Sequence, residues 1–203
     1  MLLTLHPQNP QPRLVQRVVE KIQQGGVIVY PTDSGYALGC QIGNKQGVDR
    51  IRRIRQLDKH HKFTLLCRDL SEIATYAKVD NPAFRFLKAN TPGPYTFILP
   101  ATKAVPRMLQ HPKRNTIGIR IPHNRVLLDI LTLLDEPLMN VSLVLPDAAP
   151  PIIDSIYLQN ELGNQVDLIV DSGPIPIEQT TIVDLTGGVP DVVRVGKGEV
   201  SGF

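Results

Sequence analysis

The sequence has only two cysteines among its 203 residues. It has no apolar run near the roughly 20 residues that a membrane-spanning helix needs. Cys40 and Cys67 lie inside the apolar runs YALGCQI and FTLLC, with no second Cys or His at ligand spacing. They are expected to be small buried hydrophobes rather than metal ligands, and no metal site is expected elsewhere. The opening MLLTLHPQNPQPR lacks the basic n-region and apolar core of a secretory signal, so a cytoplasmic, soluble chain with no membrane partner is expected. There is no phosphate-binding GxxxxGK[ST], no GxGxxG and no Ser/His/Asp spacing, so any site must be built from less familiar parts. Repeats, low-complexity tracts and long linkers are also missing. That leaves one domain, read as residues 10–196 between short tails at 1–9 and 197–203.

What is present is ordinary globular composition, 42% apolar and 20% charged, in which helical and strand periodicities alternate. Leu14, Val15, Val18, Val19 and Ile22 sit at helical spacing over 11–24, and Gly25-Gly26 closes that segment. VIVYP follows as a strand that Pro31 ends, then YALGCQI. A helix capped by Asn44 spans about 45–56. FTLLC is a strand, DLSE at 69–72 is a capping box, and NPAF at 81–84 places Asn81 at a helix cap with Pro at the first helical position. Strands at YTFIL, TIGIRIP, PLMNVSLVL, VDLIV, TTIVDL and VVRV alternate with helices over 124–134 and 154–163. LPDAAPP at 145–151 reads as a surface loop. The pattern predicts an α/β domain: a twisted, mixed sheet with flanking helices, whose strand ends are where a site is expected.

Four segments and a basic run carry the chemistry. In VYPTDSGYALGC, Thr32, Asp33 and Ser34 stand at a strand end beside Gly35, which permits a tight turn. NTPGPYTFIL is a rigid turn before a strand. In TIGIRIP, Arg120 sits within a β-branched strand and needs an anionic partner, either a protein carboxylate or a ligand. In the last segments, TTIVDL and VVRVGKG, Thr180 and Thr181 open one strand and Arg194 lies in the other. The run RIRRIRQLDKHHKFTLL at 50–66 holds Arg50, Arg52, Arg53, Arg55, Lys59 and Lys62 with two histidines against one acid, Asp58. Val48, Ile51 and Ile54 are the packed stripe of its helix. Arg50, Arg52, Arg53 and Lys59 are candidate RNA contacts or a solvated face. Arg55 and Lys62 crowd the helix end and the following loop as candidate pocket cations.

VYPTDSGYALGC, KFTLL, TPGPYTFIL, IGIRIP, EPLMNVS and TTIVDL, in this order, resemble the YrdC/YciO family over nearly the whole chain. PTDSGYALGC, RIRQL and CRDLSE look closer to the YciO branch than to the synthase branch. The resemblance implies a YrdC-like (YrdC/RibB-type) fold with a concave basic cavity. It also implies chemistry like that of L-threonylcarbamoyladenylate synthases, which join L-threonine, bicarbonate and ATP, with Mg²⁺ and release of pyrophosphate. Their product feeds the N6-threonylcarbamoyl modification of adenosine 37 in tRNA, and family members have been described as double-stranded RNA binders. Carried over, Thr32 would contact the amino acid and Arg120 its carboxylate. Lys62, Thr64 and Arg194 would lie near the phosphates of ATP or AMP. Ser142 matches the serine of a Ser-x-Asn element, and Thr181 a hydroxyl near the nucleotide. Two positions depart from the synthase pattern: Arg55-Gln56-Leu57 stands where synthases carry Lys-x-Arg, and Ser142-Leu143-Val144 where they carry Ser-x-Asn. One cation and one amide are thereby lost, each worth about 2.7–4 kcal/mol where it stabilises a transition state.

Overall fold

A computed structural model describes residues 1–58, 61–145 and 152–201. The first half runs β1 (Leu2–Thr4), α1 (Pro12–Gln23), β2 (Ile28–Thr32), β3 (Gly35–Gln41), α2 (Lys45–Arg55), β4 (Thr64–Leu66), α3 (Leu70–Tyr76) and α4 (Asn81–Asn90). The second half runs β5 (Tyr95–Pro100), β6 (Thr116–Arg120), α5 (Arg125–Leu134), β7 (Leu138–Ser142), β8 (Ile152–Ile153) and α6 (Ser155–Leu162). It ends with β9 (Leu168–Asp171), β10 (Ile175–Pro176), β11 (Thr181–Asp184) and β12 (Asp191–Arg194). Ten of these strands form one mixed sheet in the order β1-β9-β2-β3-β7-β4-β6-β5-β11-β12, and β8 pairs with β10 apart from it. The α/β architecture is the expected one, with a large mixed sheet and helices on both of its faces.

Helix boundaries follow local chemistry. Asn44 accepts from the Gly47 N–H and Asp69 from the Glu72 N–H, as their positions predict. Glu72 completes the box one residue early, accepting from the Arg68 N–H at 2.6 Å. At α4 the cap is Asp80, whose carboxylate accepts from the Ala83 N–H at 2.8 Å, and not Asn81, which is already helical. The stronger acceptor one residue upstream takes the cap, and Pro82 fits the first turn, where no intrahelical donor is needed. Pro31 does not end β2, because that strand pairs with β9 only at Ile28 and Val29. Beyond them it has a neighbour on one side alone, where a missing N–H is tolerated. The stretch 1–9, read as a tail, supplies the edge strand β1.

Strand alternation divides the core in two. Val29, Leu38, Leu65, Met139 and Ile169 point to one face, where they pack with α2, α3, α4 and α6. Ile28, Tyr30, Ala37, Leu66, Leu138 and Leu168 point to the other, beneath α1 and α5. Each fully buried aliphatic side chain contributes about 1.5–3 kcal/mol, so both layers are secured by many such residues. On this second face the helix cover stops short. The residues that share its parity further along the sheet are Thr64, Thr96, Thr116, Gly118, Arg120, Asn140 and Ser142, and they line a hollow instead of a core. The polar letters of β4, β5, β6 and β7 are therefore gathered on the half-face that, among the described residues, no α-helix covers.

Candidate functional site

That half-face holds two adjoining hollows with shared walls at Lys62, Thr64, Thr96 and Ile182. The smaller, of about 120 Å³, is walled by Phe63, Ile98, Leu109 and Ile117, with His111 and Arg114 at its edge. The larger, of about 350 Å³, receives Arg55, His61, Lys62, Arg120 and Arg194, together with Asn140, Ser142, Gln179 and Thr180. Among the described residues, neither lining includes an aspartate or a glutamate. A concavity of this size lined by cations and hydroxyls suits a small anion-bearing ligand.

The floor is built by β6. Gly118 lies between Thr64 of β4 and Thr96 of β5, and a Cβ there would stand 3.3 Å from the Thr64 hydroxyl oxygen and 3.4 Å from Thr96 Cγ2. Glycine keeps the floor open at its centre. Across the floor the Thr96 and Thr180 hydroxyls are 3.0 Å apart. Arg194, on β12, donates to the Thr180 carbonyl at 2.8 Å and is held against this wall. Tyr30, buried on the helix-covered side, donates its hydroxyl to Asn140 Oδ1 at 2.7 Å. Burial pushes the Tyr30 pKa well up, which keeps it a donor, and the Asn140 amide N–H groups are left for the cavity. Gly39 makes this contact possible, since a Cβ there would lie 2.8 Å from the Tyr30 hydroxyl.

The cations are under electrostatic tension. Arg55 has buried Nε and Nη1 atoms without a hydrogen-bond partner, and desolvation lowers its pKa. The His61 pKa is lowered by burial first and then by Arg55, against the opposing pull of Asp58. Desolvation also lowers Arg194. Arg120 is only 3% exposed, and burial lowers its pKa against the opposing charge of Asp33. Its guanidinium pairs with Asp33 through Nη2 and donates from Nη1 to Ser34 Oγ at 2.9 Å. Of the two partners the sequence left open for Arg120, a protein carboxylate is present. An anion in the larger hollow would favour the charged forms of Arg55, His61 and Arg194, which line it.

The structure thus brings Arg55, Lys62, Thr64, Arg120, Ser142 and Arg194 to one cavity. Thr32 and Thr181 do not line it. The Thr32 hydroxyl closes its own turn, donating to the Gly35 carbonyl at 2.7 Å and accepting from the Ser34 N–H at 3.0 Å. Thr181, fully buried, donates to the Gly198 carbonyl at 2.6 Å and accepts from the Gly196 N–H. The hydroxyl that faces the cavity from this segment is its neighbour, Thr180. Thr96, Asn140 and Gln179 were not singled out by the sequence.

The basic run is split between opposite sides of α2. Arg52 turns toward Phe63, its guanidinium carbon 5.3 Å from the ring centroid, and pairs with Asp49 at 3.3 Å. Arg50 is tied to Asp167 at 2.7 Å and to the Gln165 carbonyl at 2.8 Å, which clamps α2 to the segment before β9. Arg53 is exposed beside Arg50 in a separate shallow groove. Lys59 lies outside the described residues, as does most of the 145–151 loop.

A sequence profile of the Sua5/YciO/YrdC family, described as telomere recombination, matches residues 20–196. The chain belongs to this family. The uncharacterized protein YciO of Escherichia coli strain K12 is 53% identical to it over 199 residues, covering 98% of this chain and 97% of YciO. The crystal structure of E. coli YciO has a TM-score of 0.93 and 51% identity, covering 99% of this chain and 98% of the other. A threonylcarbamoyl-AMP synthase of Chromobacterium violaceum is 34% identical over 116 residues, 57% of this chain and 60% of the synthase. P. abyssi Sua5 complexed with L-threonine has the same fold, with a TM-score of 0.86 at 20% identity over 97% of this chain and 57% of its own.

The two positions that the resemblance sets apart from the synthases, Leu57 and Val144, occupy different settings. Val144 is 42% exposed and lines the larger hollow. Leu57 is not part of either lining; it packs against the core cluster on the other side of the sheet.

Proposed function

We propose that this family member binds ATP or AMP in the half-face cavity and acts in L-threonylcarbamoyladenylate synthase-like chemistry linked to threonylcarbamoyladenosine modification of tRNA. The observation that carries the reading is the half-buried Arg55 guanidinium. Two of its donors are unpartnered, and it stands in an acid-free lining with Lys62, Arg120 and Arg194. Adenylyl transfer places charge on the phosphate oxygens and on departing pyrophosphate, and preorganised cations stabilise that charge. In this reading Arg55, Lys62 and Arg194 hold phosphates, while the Thr64, Thr96 and Thr180 hydroxyls and the Asn140 amide orient the remaining polar groups. Arg120 takes the carboxylate of L-threonine, and bicarbonate supplies the carbamoyl carbon. Among the described residues no group of three His, Cys, Asp or Glu is placed to hold a metal. In this reading magnesium enters with the ATP substrate, held by phosphate oxygens, and the protein meets these substrates in the cytoplasm.

The test is pyrophosphate release from ATP–Mg²⁺, L-threonine and bicarbonate, together with calorimetric titration of ATP. Threonine-dependent release above a no-enzyme control supports the synthase form. ATP binding without release leaves a nucleotide-binding protein, and the absence of both overturns the reading. Binding of tRNA or double-stranded RNA without synthase activity is the second reading, favoured by the exposed Arg53 and Lys62. It is the weaker, because Arg50 and Arg52 already have carboxylate partners. RNA affinity that falls steeply with salt and drops on Arg53→Ala would support it.

A further inference from the structure

The ion pair between Arg120 and Asp33 is buried and incomplete. The two side chains are 3% and 11% exposed, and only Asp33 Oδ1 meets the guanidinium, at Nη2. Asp33 Oδ2 and Arg120 Nε are both buried without a hydrogen-bond partner. An arginine and a carboxylate that fit one another close with two parallel bonds. Here a donor and an acceptor within the same pair are left unmatched, an arrangement a folded protein ordinarily avoids.

The partners also differ in how they are held. Arg120 ends β6, a strand flanked by β4 and β5 in the middle of the sheet, and its side chain lines the cavity. Asp33 sits at the tip of the two-residue turn between Thr32 and Gly35, where Gly35 has φ +125°. Lys197 donates its Nζ to the Asp33 carbonyl at 3.0 Å and also pairs with Glu178. If the pair opens, the turn moves and the sheet stays. The Lys197 ammonium, already on the Asp33 backbone, is a cation on the turn itself.

We infer that Asp33 is an internal stand-in for the anionic group of the ligand, occupying Arg120 until a ligand carboxylate or phosphate displaces it. The inference rests on the cavity being an anion-binding site, as in the function proposed above. It makes Asp33 a specificity residue, since a neutral molecule has nothing to exchange for the carboxylate. An anion, by contrast, replaces one negative charge with another and leaves Arg120 compensated. The affinity of such a ligand is lowered by the fraction of time Arg120 is occupied.

The test follows the Arg120 guanidinium and the Asp33 carboxyl by NMR in the full chain, with inorganic phosphate and acetate as probes. In Asp33→Asn, whichever anion the site accepts binds at Arg120 about 10-fold more tightly than in wild type, if the pair is closed nine-tenths of the time. In wild type the Asp33 carboxyl resonance shifts in step with saturation of Arg120. Phosphate and acetate as separate arms show which anion is accepted. Equal or weaker binding in folded Asp33→Asn overturns the inference, as does an Asp33 signal unmoved at saturation, or failure of both anions to reach Arg120. If Asp33→Asn does not fold, the wild-type titration decides alone. Displacement by phosphate in a protein that ignores ATP would keep the stand-in and remove the nucleotide reading. ATP binding with Asp33 still paired would do the reverse.

Discussion

At the scale of single residues, the site is a set of charges the fold holds at a cost. Arg55 is the sharpest case, with Nε and Nη1 buried and unpartnered. Arg55→Met keeps most of its apolar volume and removes the unmatched charge. The variant is expected to be more stable than wild type by about 1 kcal/mol, read as a rise in melting temperature, while calorimetry shows weakened ATP binding. Buried acids give a second prediction. Burial raises the Cys40 thiol from 9.0 to about 12 and the Tyr36 hydroxyl from 10.0 to about 12. Both groups are held neutral in the fold and ionise earlier in the unfolded chain. The stabilising effect is whole below pH 9 and is lost between about pH 9 and 12 for Cys40 and between about pH 10 and 12 for Tyr36, at up to about 1.4 kcal/mol per pH unit for each group. Denaturant midpoints measured over that range should fall steadily. Residue types were readable in the sequence, but which of two adjacent threonines reaches the cavity was not. Thr180 and Thr181 differ in facing, and that is set by the distant pairing of β11 with β5, which puts Thr181 beside Tyr95 and the Thr180 hydroxyl 3.0 Å from that of Thr96. Local pattern contains no such register.

At the scale of elements, the end of α2 explains why one departure from the synthases is structural and the other is not. Gln56 takes the left-handed conformation at φ 50°, its N–H donates to the Arg53 carbonyl, and the Leu57 N–H donates to the Arg52 carbonyl at 2.9 Å. This is a Schellman closure, in which the residue after the left-handed one commonly makes an apolar contact. Leu57 does so, against the core. Leu57→Arg should therefore cost about 1 kcal/mol of stability through lost burial and leave ATP affinity unimproved. Val144→Asn adds an amide on the cavity wall itself and should strengthen nucleotide binding, or raise pyrophosphate release if the reaction runs. Parallel titrations of the two variants check the contrast, and equal gains in both would refute it. Caps were legible where one strong acceptor stood alone, as at Asn44 and Asp69. At α4 two acceptors were adjacent, and the choice between Asp80 and Asn81 needed the backbone.

At the scale of the whole molecule, the cavity exists because α1 and α5 cover only part of one sheet face. The alternation of helices and strands announced a layered α/β domain, but the strand order lies outside any local pattern. It is this order, with β4, β6, β5, β11 and β12 on the far side of β7, that leaves polar residues of β4, β5, β6, β7 and β12 on the uncovered half. The apolar layers hold the fold together, and the open half-face contributes uncompensated positive charge. Binding an anion there adds stability that the ligand-free chain lacks. At ATP concentrations 100 times the dissociation constant, linkage supplies about 2.7 kcal/mol. For a chain of this size each kcal/mol moves the melting temperature by about 2–4 °C, so saturating ATP should raise it by roughly 5–10 °C. In Arg55→Met the starting temperature is higher and the ATP-induced rise much smaller, so the two melting curves converge and then cross as ATP is added. Parallel curves at every ATP concentration would mean that the nucleotide, if it binds, is held somewhere other than the cavity Arg55 lines.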